Sequence, residues 1–458
     1  MMRKILVANR GEIAVRILRA ARELDLATVA VYSDADRESL HVKLADEAVC
    51  IGPPTSQASY LSIASIISAA MISGADAIHP GYGFLAENYR FAEACEESGI
   101  VFIGPSAAVI RRMGDKAEAK AAMRAAGVPV TPGSEGVVAT VDAARANARE
   151  IGYPVLLKAR EGGGGKGMRV VHNPDALEGA FKMASAEALA AFGNGDLYME
   201  KFILNPRHIE IQLAGDGAGT VVHFGERDCS VQRRHQKLIE EAPSPALSAE
   251  QRRQLGERAA QGAADIGYRS LGTMEFLLDA DGQAFFMEMN TRLQVEHGVT
   301  EEVTGEDLVK LQIELAAEAS LPLRQADIAV SGHAIECRIN AEDPTCGFRP
   351  SPGTISFFHA PGGPGVRMDS HVYTGYAIPP YYDSLLGKVV GSGRDRPEAI
   401  RRLVRALEEL VIEGVATTAG FHRRVMADPV FQSGRYDTSY AESIVRTLTP
   451  APEPVASD

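Results

Sequence analysis

The chain has 458 residues, of which 45% are hydrophobic and 23% charged, a composition typical of a soluble globular protein. At about 150 residues per domain, this length suggests roughly three domains. The 47 Lys and Arg against 60 Asp and Glu give a net charge of −13, which argues against sequence-independent nucleic-acid binding. Five scattered cysteines without a C-x-x-C pair, and the lack of an apolar run long enough to span a membrane, indicate a cytoplasmic protein with reduced thiols.

The first hundred residues alternate predicted strands and helices. The predicted strands are Lys4 to Ala8, Thr28 to Tyr32, Ala48 to Ile51, Ala75 to His79 and Ile100 to Ile103. Asn9 and Glu12 have the spacing of a capping box at the start of the first helix, and a second helix is expected over Leu61 to Met71. Strands that alternate with helices predict a parallel sheet covered on both faces.

A linker-like stretch rich in Pro and Gly, residues 129–136, leads into a smaller segment over about residues 137–201. This segment contains a helix, the strand Pro154 to Lys158, a glycine run and the strand Met168 to His172. A larger lobe follows, with the predicted strands Ile209 to Leu213 and Thr220 to Phe224 and a long helix from Ser248. The last ten residues resemble a frayed tail.

The glycine run has the letters G-x-G-x-x-G from Gly162 to Gly167. A dinucleotide fingerprint requires a helix after the glycines, whereas a strand is predicted here, and Lys166 is followed by Gly167 and not by the Ser or Thr of a Walker A loop. The run therefore predicts either a mobile hairpin loop whose backbone amides contact phosphate oxygens or a flexible hairpin tip without a ligand. Lys158 adds a cation at the base of the loop.

A predicted β-hairpin over residues 272–290 brings two carboxylates together. With Asp281 and Gly282 as the two-residue turn, or with a four-residue loop of the same register, Glu275 lies directly opposite Glu288. Opposed like charges destabilise a sheet, so a bound Mg²⁺ is the natural compensation, with Asn290 as a further oxygen ligand on the same face. The alternative is an exposed edge where both carboxylates contact water.

Three further polar segments stand out. If the chain stays extended after the hairpin, Asn290, Arg292, Gln294 and Glu296 line one face as metal ligand, cation, amide and general base. The charged run over residues 226–241 is as consistent with a solvated loop as with a site. Glu336 and Arg338 share a strand face, where a salt-bridged surface pair is the default expectation.

Taken together, these residues resemble the biotin carboxylase family, the ATP-grasp component of acyl-CoA carboxylases, over nearly the whole chain. The motifs that carry the resemblance are Ala8 to Ala14, His79 to Asn88, Met113 to Lys116, the glycine loop, Met199 to Lys201, Pro206 to His208, Glu226 to Ser230, Gln232 to Lys237, Glu288 to Arg292 and Pro379 to Ser384. Several long motifs in one order are far more specific than any one of them.

The resemblance implies an α/β protein, α+β in part, with the ATP-grasp fold. It implies a Rossmann-like parallel-sheet domain over residues 1–113, a first ATP-grasp part over 114–203 that includes the glycine lid at about 137–201, and a second part over 204–330. A C-terminal mixed α/β domain over 331–446 and a tail over 447–458 complete the expected order. The nucleotide would be clamped between the lid segment and the larger lobe.

The resemblance also implies site residues, named here by group. ATP would be held by Lys116, Lys158, Gly164, Gly165, Glu200, Lys201, Phe202, Ile203, His208, Gln232, His235, Glu275 and Glu288. Mg²⁺ or Mn²⁺ would be held by Glu275, Glu288 and Asn290, and bicarbonate by Lys237, Arg292, Gln294 and Val295. Glu296 would deprotonate bicarbonate, Tyr82 and Arg338 would bind biotin, and the catalytic set would be Glu296, Arg292, Arg338 and Lys237.

The implied reaction is ATP- and bicarbonate-dependent carboxylation of biotin through carboxyphosphate. No Met-Lys-Met biotinylation motif is present, so a separate biotin carboxyl carrier protein and carboxyltransferase subunits are the expected partners. The resemblance also implies a homodimer. The resemblance implies a role in malonyl-CoA formation for fatty acid synthesis. The alternatives are the biotin carboxylase subunit of a pyruvate, propionyl-CoA or methylcrotonyl-CoA carboxylase, another ATP-grasp ligase, or a non-catalytic ATP-sensing partner. The sequence departs from the family at Gly298, where Pro is usual, at Arg160 and Glu161, and in a longer turn after Asp279.

Overall fold

The fold is that of a computed structural model, which describes residues 2–134, 136–159, 168–318 and 320–448. The chain forms two compact units. The first comprises the described residues of Met1–Val128, Arg207–Phe276 and Glu288–Asp458, and the second comprises those of Pro129–Pro206 and Leu277–Met287. Among the described helices, not one combines the length and the apolar character needed to cross a bilayer. The four domain boundaries expected from the sequence stay predictions.

The helices of the first unit are α1 (Gly11–Glu23), α2 (Leu40–Leu44), α3 (Ile63–Ser73), α4 (Tyr89–Glu97), α5 (Ala107–Gly114), α6 (Lys116–Ala125), α9 (Ala249–Asp265), α10 (His297–Thr304), α11 (Leu308–Glu318), α12 (Arg396–Glu409), α13 (Ala419–Ala427), α14 (Pro429–Gln432) and α15 (Tyr440–Leu448). The second unit contains α7 (Val141–Ile151) and α8 (Pro174–Phe192). Most of the longer helices begin where a side chain accepts from the first turn. Ser248, for example, caps α9 in a capping box with Gln251.

The strands before the second half of the chain are β1 (Lys4–Val7), β2 (Ala27–Ser33), β3 (Glu47–Gly52), β4 (Ala77–His79), β5 (Val101–Phe102), β6 (Val155–Ala159), β7 (Met168–Val171), β8 (Leu197–Lys201) and β9 (Arg207–Asp216). The later strands are β10 (Val221–Arg233), β11 (Gln236–Ala242), β12 (Arg269–Leu278), β13 (Ala284–Asn290), β14 (His333–Asn340), β15 (Glu342–Asp343), β16 (Arg349–Pro350), β17 (Phe357–His359), β18 (Val366–Ser370), β19 (Leu385–Gly393) and β20 (Val411–Glu413).

The expected parallel sheet is confirmed at the N-terminus. Its five strands lie in the order β3-β2-β1-β4-β5, and each adjacent pair is parallel. The apolar residues of β1 alternate between two cores: Ile5 and Val7 pack with α1, and Leu6 packs with the side chains of α3 and α4. A strand buried on both faces explains why its sequence is an unbroken apolar run.

The capping box expected before α1 is wrong. Arg10 is the N-cap of α1 and makes no side-chain cap hydrogen bond. Asn9 Nδ2 instead donates to the carbonyl oxygens of Pro80 and Tyr82, both at 2.7 Å, and Glu12 accepts a hydrogen bond from the Tyr82 hydroxyl. Distant backbone and hydroxyl groups have replaced the local partners, which no spacing rule can anticipate.

An eight-stranded sheet of order β13-β12-β9-β10-β11-β14-β19-β18 forms the centre of the larger part of the chain. The pairs from β9 to β18 are antiparallel, so each strand alternates side chains between two faces. One face packs on an apolar core that includes Ile335, Cys337, Val389 and the α12 residue Leu403. The other face carries charged side chains, and these form the candidate site.

The second unit has a three-stranded antiparallel sheet of order β7-β6-β8. β6 and β7 pair with Val155 opposite Val171 and Lys158 opposite Met168, so a strand does follow the glycine run, as expected. The loop itself, residues 160–167, lies outside the described residues, and with it Gly164, Gly165, Arg160 and Glu161. The proposed roles of these glycines therefore stay predictions.

Candidate active site

Charged side chains from six neighbouring strands lie on one face of the eight-stranded sheet. Residues directly opposite each other in an antiparallel pair project to the same side, which brings distant parts of the chain together. The pairs in register are Arg227 with Glu210, Glu240 with Glu336, Arg338 with Lys388, and Asp369 with Lys388. All seven residues are largely or fully buried, so a charge on any of them needs an oppositely charged side chain nearby.

Lys237, at the start of β11, is the cation at the centre of this face. Its Nζ lies 3.0 Å from Glu275 Oε1 and 2.8 Å from Glu296 Oε1, and it also contacts Glu210. Burial alone would lower the pKa of the Lys237 ammonium, but the three carboxylates outweigh burial and raise that pKa well above its usual value. Lys237 is therefore charged, and it converts three mutually repelling carboxylates into one cluster.

Glu275, on β12, has every oxygen engaged. Oε1 accepts from Lys237, from Asn290 Nδ2 at 2.7 Å and from Gln294 Nε2 at 3.1 Å, while Oε2 lies 2.9 Å from His208 Nε2. Burial favours the neutral acid, but Lys237 and His208 overcome it and hold the pKa of Glu275 far below its usual value. Burial likewise opposes the charging of His208, yet the Glu275 carboxylate raises the pKa of that imidazole.

Glu288 and Asn290 share the face of Glu275. The bond from Asn290 to Glu275 fixes the face, and Glu288, two residues earlier on β13, projects to the same side. Glu275 is buried, whereas the Glu288 side chain is 37% exposed and lies 3.7 Å from Lys116 Nζ. Two carboxylates and an amide oxygen on one face, one of them open to solvent, are a donor set that fits Mg²⁺ or Mn²⁺.

The turn between β12 and β13 is longer than the two-residue loop of Asp281 and Gly282, which was one of the two loops that the sequence allowed. The Asp279 N–H donates to the Gln283 carbonyl at 2.9 Å, and the Asp279 carboxylate accepts from the N–H groups of Asp281 and Gln283. Gly282 has a φ of 79°, which favours glycine. The direct opposition of Glu275 and Glu288 stays a prediction.

The segment that follows β13 is held by side-chain hydrogen bonds and not by sheet pairing. Arg292 donates to Asn290 Oδ1 at 3.0 Å and to Gln294 Oε1 at 2.9 Å, so the alternate polar residues do converge although the segment is not a strand. Glu87 anchors the segment: its carboxylate accepts from Arg292 Nε and from the Thr291 N–H, both at 3.0 Å.

Glu296 is the residue immediately before α10, and its side chain is fully buried. Oε1 accepts from Lys237 and Oε2 accepts from Arg338 Nη2, both at 2.8 Å. Burial would raise the pKa of Glu296, but Lys237, Arg338 and Arg227 together lower it well below its usual value. Glu296 is thus an ionised carboxylate, in the protonation state that a proton acceptor needs.

The structure excludes one of the two alternatives left open for the charged run over residues 226–241, and the surface pair expected for Glu336 and Arg338 is wrong. Residues 226–241 are not a solvated loop but the hairpin β10–β11, in which Glu226, Arg227 and Asp228 are buried. Glu336 and Arg338 are not a surface pair either. Arg338 donates to Glu240 Oε1 at 2.6 Å and to Glu296, while neither Glu336 oxygen has a hydrogen-bond partner among the described residues. Arg338 is instead paired with two carboxylates that are distant in sequence.

The other residues expected to contact the nucleotide are found in both units. In the first unit, Lys116 is 75% exposed at the start of α6, Gln232 lies opposite Lys237, and His235 forms the exposed turn between β10 and β11. In the second unit, Lys158 Nζ lies 2.5 Å from Glu200 Oε2, Lys201 Nζ donates to the carbonyls of Gly152 and Tyr153, the Phe202 N–H donates to Pro154, and Ile203 is buried.

Four residues of this site escaped the sequence analysis: Glu87, Glu210, Arg227 and Glu240. Glu210 had a detectable signal, because His208, Glu210 and Gln212 alternate with Ile209, Ile211 and Leu213 in a strand already predicted. Arg227 and Glu240 lay in the charged run over residues 226–241, in which the resemblance gave roles to Gln232, His235 and Lys237 but not to these two. Glu87 lay within the motif His79 to Asn88 but was given no role, and it is 205 residues from the arginine it contacts.

Comparisons with known proteins match this geometry. The family "Biotin carboxylase, N-terminal domain" matches residues 1–110, "Carbamoyl-phosphate synthase L chain, ATP binding domain" matches 115–324, and "Biotin carboxylase C-terminal domain" matches 336–443. A biotin carboxylase of Nostoc sp. is 58% identical over 441 residues, which are 96% of this chain and 99% of the relative.

Two solved structures are similarly close. A Campylobacter jejuni biotin carboxylase in complex with β,γ-ATP is 51% identical with a TM-score of 0.91, covering 97% of this chain and 99% of its own. The biotin carboxylase domain dimer of Hydrogenobacter thermophilus 2-oxoglutarate carboxylase, bound to MgADP, ADP and bicarbonate, is 51% identical with a TM-score of 0.90 and covers 99% and 100% of the two chains.

The parallel N-terminal sheet, the antiparallel sheets and the buried carboxylate–lysine cluster define an ATP-dependent ligase with the ATP-grasp fold. Within that class, the three matched families and the relatives at more than half identity decide the assignment. The chain belongs to the biotin carboxylase family, and its reaction is the ATP-dependent carboxylation of biotin.

Proposed function

We propose that Glu296 is the general base that deprotonates bicarbonate, and that the biotin carboxylated here is carried by a separate carrier protein. The single observation that supports the base assignment is the position of Glu296 between two cations, Lys237 and Arg338, each at 2.8 Å. An ionised, buried carboxylate held in this way can take one proton and stay in place. Its neighbours Lys237 and Arg338 can neutralise the negative charge of bicarbonate and of the biotin enolate, respectively.

Bicarbonate would be held by Lys237, Arg292, Gln294 and the backbone of Val295. Loss of its proton to Glu296 makes one oxygen nucleophilic toward the γ-phosphorus of ATP, and attack there releases ADP and forms carboxyphosphate. Positive groups are needed because two anions must approach each other, and positioning with charge neutralisation is the main contribution of a protein to phosphoryl transfer.

The metal would be held by Glu275, Glu288 and Asn290, whose oxygens suit Mg²⁺, with Mn²⁺ as an alternative ion. When bound, such an ion neutralises charge on the ATP phosphates. The nucleotide contacts expected from the resemblance are proposed for Lys116, His208, Gln232 and His235 in the first unit. Lys158, Glu200, Lys201, Phe202, Ile203 and the amides of Gly164 and Gly165 are proposed for the second.

Carboxyphosphate would break down to CO₂ and phosphate, and this phosphate would take the N–H proton of the biotin ureido group. The resulting enolate attacks CO₂ to give carboxybiotin. Tyr82 and Arg338 are proposed as the biotin contacts, because the Arg338 guanidinium is a fixed positive group beside Glu296 that can stabilise the enolate oxygen.

The wider setting is also a proposal. We infer a homodimer in the cytoplasm that serves, with a carrier protein and a carboxyltransferase, an acyl-CoA carboxylase for malonyl-CoA and fatty acid synthesis. All five cysteines are free, as expected for a reducing compartment. A pyruvate, propionyl-CoA or methylcrotonyl-CoA type of carboxylase is the alternative, because one of the similar structures comes from a carboxylase with an oxoacid acceptor.

The test is phosphate release with ATP, Mg²⁺ and bicarbonate, with and without biotin. We expect bicarbonate-dependent release that biotin stimulates. Glu296→Gln should lower the rate about 10²- to 10⁴-fold, the usual contribution of general acid–base catalysis. Glu257→Gln, in an exposed pair with Arg253, is the matched control and should leave the rate unchanged. Full turnover by the Glu296→Gln protein would contradict the base assignment.

A further inference from the structure

A fully buried lysine lies behind the segment that carries Val295 and Glu296. Lys388, on β19, has 0% side-chain exposure, and its Nζ donates to the carbonyl oxygen of Val295 at 2.5 Å. A charged ammonium is rarely buried unless it is paired, because it loses its hydration. No step of the proposed reaction involves this side chain.

Two carboxylates compensate the charge of Lys388. Its Nζ lies 3.5 Å from Glu12 Oε1 and 3.9 Å from Asp369 Oδ2. Both carboxylates are themselves fixed, Glu12 by the hydroxyl of Tyr82 and Asp369 by Arg367, whose Nη2 donates at 2.8 Å. Among the described residues, Lys388 Nζ makes one hydrogen bond, to the Val295 carbonyl, and the two carboxylates lie at ion-pair distance from the same ammonium.

The carbonyl that Lys388 holds is the last of three consecutive carbonyls bound by side chains. The Leu293 carbonyl accepts from Arg292 at 3.2 Å, and the Gln294 carbonyl lies 2.8 Å from His297 Nδ1. Because a peptide group is planar, fixing the Val295 carbonyl also fixes the N–H and the Cα of Glu296, from which the Glu296 side chain extends.

We propose that Lys388 is a positioning residue for bicarbonate activation, which holds the Val295–Glu296 peptide so that the base and the bicarbonate contacts keep their geometry. This inference rests on the roles proposed above for Val295 and Glu296. It assigns no contact with substrate to Lys388. A displacement of about 1 Å at a reacting group can cost up to ~100-fold in rate. Loss of the fixed position of this one peptide can therefore lower the rate measurably.

The charge state of Lys388 agrees with this role. Burial would lower the pKa of the Lys388 ammonium, but the carboxylates of Glu12, Glu336 and Asp369 outweigh burial and raise it above its usual value. The group therefore stays protonated and keeps a donor for the carbonyl. A role limited to charge compensation would affect stability alone, whereas the positioning role affects the kinetics of one substrate.

The experiment measures bicarbonate-dependent ATP cleavage by the full chain with Lys388→Met and Lys388→Arg. For Lys388→Met we expect the KM for bicarbonate to rise at least about tenfold, with a lower kcat, while the KM for ATP stays within about twofold. For Lys388→Arg, which keeps the charge but not the compact ammonium, we expect a rise of at least about threefold. If the Met protein does not fold, the Arg protein decides.

Arg396→Met is the matched control. Arg396 is a largely buried cation whose Nε lies 2.7 Å from Glu241, and its hydrogen bonds to described residues go to Glu241, Phe431 and Gln432, outside the segment after β13. Its loss should lower the melting temperature and leave the bicarbonate KM unchanged. An unchanged bicarbonate KM in the folded Lys388 variants, or an equal rise of that KM in Arg396→Met, would overturn the role of Lys388 but not the proposed function. A wild-type protein without bicarbonate-dependent cleavage would overturn the proposed function together with it.

Discussion

Arg338 Nη2 donates to Glu296 Oε2 at 2.8 Å, so the proposed enolate-stabilising cation and the proposed base share a hydrogen bond. The other oxygen of the same carboxylate accepts from Lys237 at the same distance. One ionised side chain therefore links the cation assigned to bicarbonate with the cation assigned to biotin. Substitution of Lys237 or of Arg338 alone can therefore distinguish bicarbonate-dependent ATP cleavage from biotin carboxylation.

Arg338→Gln should separate biotin carboxylation from ATP cleavage. The positive charge of Arg338 is needed where the enolate develops, and removal of one such donor typically costs about 10²- to 10³-fold, so carboxylation should fall by that amount. Bicarbonate-dependent phosphate release without biotin should fall much less, since Lys237 still holds Glu296. Both rates are measured on the same preparation.

Arg405→Gln, in the exposed pair with Glu409, serves as the control for that substitution and should leave both rates unchanged. An equal loss of the two activities in Arg338→Gln would place Arg338 in the bicarbonate step and remove the separate role proposed for it.

Glu288→Gln should weaken metal binding without unfolding the protein. The Glu288 side chain is partly exposed and its nearest cation, Lys116 at 3.7 Å, is itself in solvent, so little stability depends on the charge. Loss of one carboxylate ligand should raise the Mg²⁺ concentration for half-maximal ATP cleavage at least about tenfold. The readouts are this titration and the rise in melting temperature on adding MgADP.

Glu250→Gln, on the exposed surface of α9, provides the comparison and should match the wild type in both readouts. If Glu288→Gln needs the same Mg²⁺ concentration as the wild type for half-maximal ATP cleavage, then Glu288 is not a ligand of the ion.

Local pattern was enough to predict the parallel sheet at the N-terminus. Short apolar runs alternate with segments of helical periodicity, and this pattern predicted the parallel sheet. A strand buried on both faces is easy to recognise because its sequence is a continuous apolar run. The sequence predicted that Asn290, Arg292, Gln294 and Glu296 line one face if the chain stays extended. The segment is not a strand, and hydrogen bonds from Arg292 bring Asn290 and Gln294 together instead. The strand and helix signals are local in sequence, and so are the bonds from Arg292 to Asn290 and Gln294.

The charged face of the sheet could not be predicted in the same way. Glu240 and Arg338 are 98 residues apart, and Lys388 and Val295 are 93 apart, so their contacts depend on which strands become neighbours. A buried acid such as Glu336 has the same one-letter pattern as a solvated one. Strand order and register decide the difference, and both are set by packing across the whole sheet.

The ion pair of Glu241 should make stability depend on acid in a recognisable way. Burial would raise the pKa of Glu241, but the bond from His333 at 2.6 Å and the charge of Arg396 lower it to about 2. A carboxyl whose folded pKa is depressed stabilises the fold above its unfolded value of about 4.5, and this stabilisation is lost as the pH falls toward 2. The contribution is on the order of 3 kcal/mol at neutral pH.

Glu241→Gln should therefore melt several degrees below the wild type at pH 7, and this gap should narrow steadily between pH 5 and pH 3. The neutral amide cannot gain from ionisation, so its stability changes less with acid. Thermal melts of both proteins over about pH 3 to 7 measure the gap, and Glu257→Gln, which is exposed, should follow the wild type throughout. A gap that stays constant with pH would mean that the charge of Glu241 does not stabilise the fold.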